Sequence, residues 1–560
     1  MTKIGKLFFT LIVLVVAAFG IYRWMNHAPV PQGGGGVDSS HSDATVSTGG
    51  ASGADEFDFL VPGPAPKLSP AQTYQPADNT VVINLSEYAG YAGLILANNG
   101  LEPNDESWFT KNGGFKLKIT LSEEDSWDDL QQGRIAATAT TVDVLANYGR
   151  QWQTVVPMQI AWSRGADGII VSKDIRRIND LKGKRVATAP FSEAEFFIRY
   201  LANESGTPVE RLDGLDAAPK ADAINLVFLE DAFEAGDAFL ADLESGAGKL
   251  AGCVTWAPKT TEIVESSQGK ARQLVDNRNL LIVADILLFN KAFAGAHPEM
   301  VEKIVEGTLI KNQEIRNNPD AHAAALAKAF AGYEWTEEDA KDELSRVHLS
   351  NLPENLAFFN GAIDEAGSFA SVYQSANLAY GAELLPRPVA SSFFADLSAL
   401  KAIEQGGQLS GQVASIQPVK TTEQVSLEND PLLTRDIRFF FLPNDHRLDM
   451  ANGENDKLLI DVHRLLGVSP GSIVLLRGHV DDGRKAEFLQ QGGQALVQKM
   501  ALKAIELSSK RAEEVRTQLL TRFPELDPSR VEMVGRGWEE PGGPDPELNR
   551  RVEVQWFTLE

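Results

Sequence analysis

From Thr80 to Ser267 the chain repeats one pattern seven times: a short run rich in β-branched residues, a turn, then a stretch of helical spacing. "TVVINL" precedes "EYAGYAGLILANNG", "GFKLKITLS" precedes "SWDDLQQG", "RIAATATT" precedes "VDVLANYG", and "GIIVSKD" precedes "INDLKG". "KRVATAP" then precedes "SEAEFFIRYLANESG", "AINLVFL" precedes "AFEAGDAFLADLESG", and "LAGCVTW" precedes "APKTTEIVESS". Strands alternating with helices of this length predict an α/β fold of mainly parallel sheets covered by helices on both faces. Sheets of that kind bind ligands beyond the carboxyl ends of their strands.

With 560 residues, 43% of them hydrophobic, the chain is too long for one ordinary core. The alternating region and a mostly helical stretch after it define a domain over 79–400. A second domain over 431–560 reads as a β/α sandwich, with the strands "SIVLLRG", "RVEMVGRG" and "RRVEVQWF" around a long helix. Between them, 401–430 has the composition of a linker. Residues 28–78 are Gly-, Ser-, Pro- and Ala-rich, cannot bury a core, and read as a flexible tether.

At the N-terminus Lys3 and Lys6 precede an almost unbroken apolar run from Leu7 to Tyr22, closed by Arg23 and Trp24. This predicts a transmembrane anchor within 1–27, the N-terminus cytoplasmic and the remainder across the membrane. Cleavage as a signal peptide near Val16-Ala17-Ala18 is the alternative.

Composition excludes several function classes. A formal charge of −25 repels phosphate backbones, so nucleic acid is not expected as a partner. Cys253 is the sole cysteine, which leaves no intrachain disulfide and no thiolate-rich metal site. The eight histidines show no HxxxH or HExxH spacing, so no metal or other cofactor is expected. The acidic run "SEEDSWDD" lacks the glycine and ligand register of a calcium loop and reads as a helix cap. No catalytic constellation emerges, and an enzyme is not expected.

Three motifs in the last domain stand in order: Gly478-His479-Val480-Asp481 at a strand end, Leu507-Ser508 with Arg511-Ala512 and Val515 on a helix, and Asn549-Arg550-Arg551-Val552-Glu553 on a closing strand. The domain thereby resembles the OmpA-like peptidoglycan-binding family. The resemblance implies that Asp481 grips the free ammonium, and Arg511 the carboxylate, of the diaminopimelate residue in a peptidoglycan stem peptide, with Asn549 and Arg551 as further contacts. A zwitterionic end calls for one anion and one fork-shaped cation held close together. Asp481 and Arg511 lie 30 residues apart, more than is usual for the family, and the insertion reads as extra helix with a Gly-Gly break.

The middle domain resembles the periplasmic substrate-binding proteins of the nitrate, sulfonate and taurine transport family. The carrying stretches are "EYAGYAG", "DLQQGRIAATATTVDVL", "INDLKGKRVATAPFSEAEFFIRYL", "GCVTWAP" and "HPEMVEKIVEG". The resemblance implies a two-lobed, type 2 periplasmic-binding-protein-like fold with Tyr91, Thr140, Thr141, Trp162, Ser192 and Trp256 in the ligand cleft. The helix starts that would cradle an anion carry Glu123, Glu124 and Asp125 in one case and Glu193 and Glu195 in the other. Carboxylates there complement the helix dipole and compete with an anion, and Ser192 with Glu195 has capping-box spacing. A neutral or cationic small molecule is therefore expected.

Together these readings describe a non-enzymatic bacterial envelope protein. It is held in the inner membrane by a single pass, carries a solute-binding module in the periplasm, and grips peptidoglycan with its last domain. The alternative is a tethered substrate-binding component of an ABC-type importer.

Overall fold

A computed structural model describes residues 53–557, apart from 66, 123–125, 279, 361–367, 386–387, 415–432, 438, 442–444, 452, 468–471, 542 and 544–548. The expected anchor, the start of the tether, the acidic trio Glu123, Glu124 and Asp125, and most of the 401–430 linker lie outside the described residues. Among the described residues no helix is long and apolar enough to cross a membrane.

The middle domain has two lobes. The first is built on β1 (Thr80–Leu85), β2 (Lys116–Leu121), β3 (Ala137–Thr141) and β4 (Thr154–Ser163). The second is built on β5 (Asp167–Ser172), β6 (Arg185–Thr188), β7 (Val209–Arg211), β8 (Ile224–Phe228), β9 (Gly252–Trp256) and β10 (Ala271–Asp276). The chain then returns to the first lobe as β11 (Ala284–Asn290) and β12 (Val347–Leu349). The sheet orders are β12-β4-β11-β3-β1-β2 and β10-β5-β9-β6-β8-β7.

Both sheets are mixed, which corrects the expectation of mainly parallel ones. β1, β2 and β3 pair in parallel, as do β6 through β9, whereas β11 runs antiparallel to β3 and β4, and β5 antiparallel to β9 and β10. The antiparallel strands carry the chain between lobes. Of these the alternation found β5 but missed β4 and β11, which are buried along their whole length and show no two-residue period.

Among the described residues the sheet strands pass between the lobes at Ser163 to Asp167 and at Asp276 to Ala284, and these two crossings are stitched together. Asn277 donates from Nδ2 to Asp167 Oδ2 at 2.7 Å and accepts from the Gly165 amide at 2.7 Å. Ser163 Oγ donates to the same Asp167 oxygen at 2.5 Å. Gly165 sits at φ +109°, a conformation that side chains rarely adopt, so this turn needs a glycine.

The described part of the expected tether is packed rather than free. Leu60 donates its amide to Phe228 O at 2.8 Å on the second lobe. On the first lobe the Tyr74 hydroxyl donates to Thr80 O and accepts from the Val82 amide. A segment too polar to make its own core thus lies as a strap across both lobes and borrows theirs. Likewise the helix Ser398–Gly406 runs into the expected linker and buries Leu400 and Ile403.

The last domain comprises β13 (Leu433–Ile437), the helix Gly453–Gly467, β14 (Ile473–Gly478), the helix Lys485–Arg522, β15 (Val531–Gly535) and β16 (Val552–Phe557). Its sheet runs β13-β16-β14-β15, with β14 and β15 parallel and β16 antiparallel to its neighbours. The long helix is interrupted at Gly492 and Gly493, the latter at φ +60°.

This domain sits against the second lobe. Arg464 reaches from the helix Gly453–Gly467 to Glu204, the last residue of the helix Glu193–Glu204, with Nη2 to Oε2 at 2.8 Å and Nη1 on Oε1. Burial opposes the guanidinium's charge, but Glu204 outweighs it and raises the pKa of Arg464.

Candidate functional site

A cleft of about 600 Å³ opens where the crossings meet the strand ends of both lobes. Tyr91, Thr140, Thr141, Ser192 and Trp256 line it. Trp162 does not. It is wholly buried and packs edge-on against Phe358 at 5.4 Å. Successive residues of a strand face opposite sides, and on β4 it is the next residue, Ser163, that lines the cleft.

Ser192 caps the helix Glu193–Glu204, accepting from the Glu195 amide at 3.3 Å. The reciprocal bond of a capping box is displaced by one residue, since Glu195 Oε2 accepts from the Phe191 amide at 2.6 Å. Glu195 is fully buried, and its other oxygen accepts from Arg199 Nε at 2.7 Å. The first turn of this helix therefore already holds an internal carboxylate, where an incoming anion would have to bind.

The charge of the cleft comes from residues that family resemblance did not supply. Glu87, Asp167, Glu193, Glu230, Asp231 and Asp285 line it, and among the described residues no lysine, arginine or histidine does. Asp167 and Asp285 lie at the starts of β5 and β11, in "DGIIVS" and "ADILLFN". A carboxylate inside an otherwise apolar strand was the signal available for both. Burial raises Asp167 to about 6. Burial, then the charges of Asp167 and Glu193, hold Asp285 well above the ordinary carboxylate range. Behind Thr141, burial raises Asp143 to about 7.

Raised carboxyl values have a defined sign. The folded chain keeps protons that the unfolded chain has released, so these groups contribute less stability as pH climbs from the unfolded value through the folded one. Asp285→Asn should accordingly be near neutral at pH 4 and increasingly stabilising toward pH 7.5, read as the difference in Tm between the two ligand-free proteins. A constant difference across that range would mean that Asp285 is solvated.

In the last domain Asp481 follows β14 and is paired with Arg550, Nε to Oδ2 at 2.8 Å. Arg511 lies over the Phe441 ring at 4.8 Å. Its pKa is lowered by burial and by the nearby Arg550 charge and raised by Asp481, so the three charged groups share one locality. Asn549 and Arg551, on either side of Arg550, make other contacts as well. Asn549 is buried and exchanges hydrogen bonds with the Gly543 backbone, and Arg551 is turned toward Glu553 at 3.4 Å. Both arginines lie just before β16, and the earlier one faces Asp481.

The motif glycines and serine hold this locality together. Ser508 is buried, donates to Ile505 O and accepts from the Gly537 amide at 2.9 Å. Its backbone lies so close to Gly478 that no side chain would fit there. Buried His479 stands beside the Arg477–Glu553 pair, and burial together with Arg551 lowers its pKa to about 4, so it is neutral at pH 7.

Among the described residues no group of three or more histidine, cysteine, aspartate or glutamate side chains could hold a metal ion. No protein-family model and no curated protein matches the chain. Solved structures similar to it include the alkanesulfonate-binding protein SsuA of Xanthomonas axonopodis pv. citri bound to MOPS, 17% identical with a TM-score of 0.41, covering 57% of this chain and 99% of that one. SsuA of Escherichia coli is 16% identical at 0.40, covering 56% and 96%. The nitrate-binding protein NrtA of Synechocystis PCC 6803 is 12% identical at 0.42, covering 60% and 90%. Likeness of this size assigns neither ligand nor function to the chain.

Proposed function

We propose that the chain is a non-enzymatic envelope protein that binds a small neutral or cationic solute between its two lobes and holds peptidoglycan through its last domain. The observation that carries the first part is the cleft. It lies where the lobes cross over, has the volume of a small-molecule site, and sets aromatic rings among hydroxyls and carboxylates. Trp256 at one rim offers a face for an apolar or cationic group. A solute that binds the folded chain alone raises its Tm. Trp256→Ala should abolish most of that rise while leaving the ligand-free Tm within a few degrees. A panel of metabolites that leaves the Tm of the wild type unchanged would contradict the receptor reading.

Wall binding rests on the three motifs and on the convergence of Asp481, Arg511 and Arg550. For a ligand ammonium to reach Asp481, the Arg550 contact must be shared or displaced. The pair is partly exposed, so that costs only about 0 to 1 kcal/mol. The released Arg550 could then join Arg511 on the ligand carboxylate, two guanidinium forks for one anion. The apolar run Leu7–Tyr22 is the proposed inner-membrane anchor, which places both domains in the periplasm.

A further inference from the structure

The cleft carries a more specific demand than its sign of charge. Asp285 is 3% exposed, and the one side chain that approaches its carboxyl as a donor is the Tyr88 hydroxyl, which leaves Oδ2 without a well-formed hydrogen bond among the described residues. The buried hydroxyls of Tyr88, beside Ser163 and Asp285, and of Thr141, beside Asp143, likewise lack a well-formed hydrogen bond. Asp285, Tyr88 and Thr141 all line the cleft, and Tyr88 lies close enough to Asp285 and Asp167 for both charges to raise its pKa. A buried acceptor left without a donor is costly, and so is a cluster of like charges sharing one desolvated pocket.

We propose that the cleft takes an organic cation bearing N–H donors, a protonated amine or a guanidinium, with its charged end on Asp285 and its body among the aromatic rings. This rests on the reading of the cleft as a solute site. An anion would meet six carboxylates and no cationic side chain among the lining residues, with Glu195 already filling the helix start. A neutral solute could fill the volume but would leave the charge uncompensated. A quaternary ammonium would compensate the charge but could give no hydrogen bond to Asp285 Oδ2. A cation with several N–H groups answers both needs, and Tyr88 Oη and Thr141 Oγ1 are further acceptors for it.

The test is calorimetric titration of the exhaustively dialysed full chain with putrescine, spermidine and agmatine, beside choline, taurine, sulfate and nitrate. At least one of the three N–H cations should bind, with choline weaker by about 10-fold or more for want of a donor. Asp285→Asn, which removes a buried charge and keeps the shape, should weaken that binding by about 100-fold. Tyr88→Phe, which keeps the ring, should weaken it by a smaller factor. Choline binding as tightly as the amines, or an Asp285→Asn variant with undiminished affinity, would overturn the proposal. Binding of sulfate or nitrate in place of the amines would overturn it together with the neutral-or-cationic reading, and binding of taurine alone would overturn it while leaving that reading intact. No binding by any of the seven would overturn the proposal, and the receptor reading would then stand or fall with the Tm shift given by uncharged metabolites.

Discussion

Arg464→Ala should destabilise the folded chain by about 1 to 3 kcal/mol, between a surface pair and a buried one, because Glu204 is fully buried but the Arg464 side chain is 32% exposed. Glu204 is fully buried and ends the helix that begins beside the cleft, and Arg464 meets it with both arms of its guanidinium. Taking the guanidinium away leaves a carboxylate out of water without its counter-charge, and the apolar packing around it offers no compensation. The side chains of Leu201 in the second lobe and of Val462 and Leu465 in the last domain belong to one buried apolar cluster, so the loss is felt on both sides of the contact. Arg464→Lys should recover only part of the loss, because an ammonium cannot engage both carboxylate oxygens in the same fork. Removing both charges together, as Arg464→Met with Glu204→Gln, should return close to the wild type. Urea unfolding followed by tryptophan fluorescence measures each of these. A change below about 1 kcal/mol for Arg464→Ala would mean that the pair is solvated and that the two domains are not held together there.

Gly478→Ala is the second large effect. A β-carbon built at Gly478 falls 2.1 Å from the Ser508 carbonyl oxygen and 2.8 Å from its carbon. Both neighbours are backbone, so relief requires β14 and the helix Lys485–Arg522 to move apart, at a cost of about 3 kcal/mol or more. The displacement has a functional reading too. Asp481 lies three residues beyond Gly478, and Arg511 three beyond Ser508, so separating strand from helix separates the two proposed ligand groups. Peptidoglycan binding should therefore fall even at temperatures where the variant remains folded. Gly295→Ala is the internal control. It lies within the helix Lys291–Ala296 with open space around it, and should be neutral or stabilising by about 0.5 to 1 kcal/mol. Similar thermal midpoints for the two variants would show that the close approach at Gly478 is absent in solution.

The parts of the fold that the sequence announced are those in which one face of an element differs from the other. Strand-then-helix alternation placed β1, β2, β3, β5, β6, β8 and β9, since each is followed by a helix of legible period. β4 and β11 bury every residue, so nothing in their pattern separates a buried strand from any other apolar run. Missing them hid the mixed character of both sheets and the two crossings that define the cleft. Trp162 was misplaced for a related reason: a motif gives the strand but not which face a given side chain takes. The motif glycine, serine and arginine of the last domain were legible because their chemistry is local to one strand-helix contact. Which of Arg550 and Arg551 meets Asp481 depended on the path of the chain just before β16, which the sequence left open. The strap from 53 to 78 has too little apolar character to signal packing, because what it buries belongs to the lobes.

If the proposed last-domain site holds the cell wall, the full chain co-sediments with purified peptidoglycan. The wild type should pellet, and Asp481→Ala and Arg511→Ala should stay in the supernatant while remaining folded, each losing about 2 to 5 kcal/mol of binding. A folded wild type that stays in the supernatant, or folded variants that pellet as well as the wild type does, would contradict that reading.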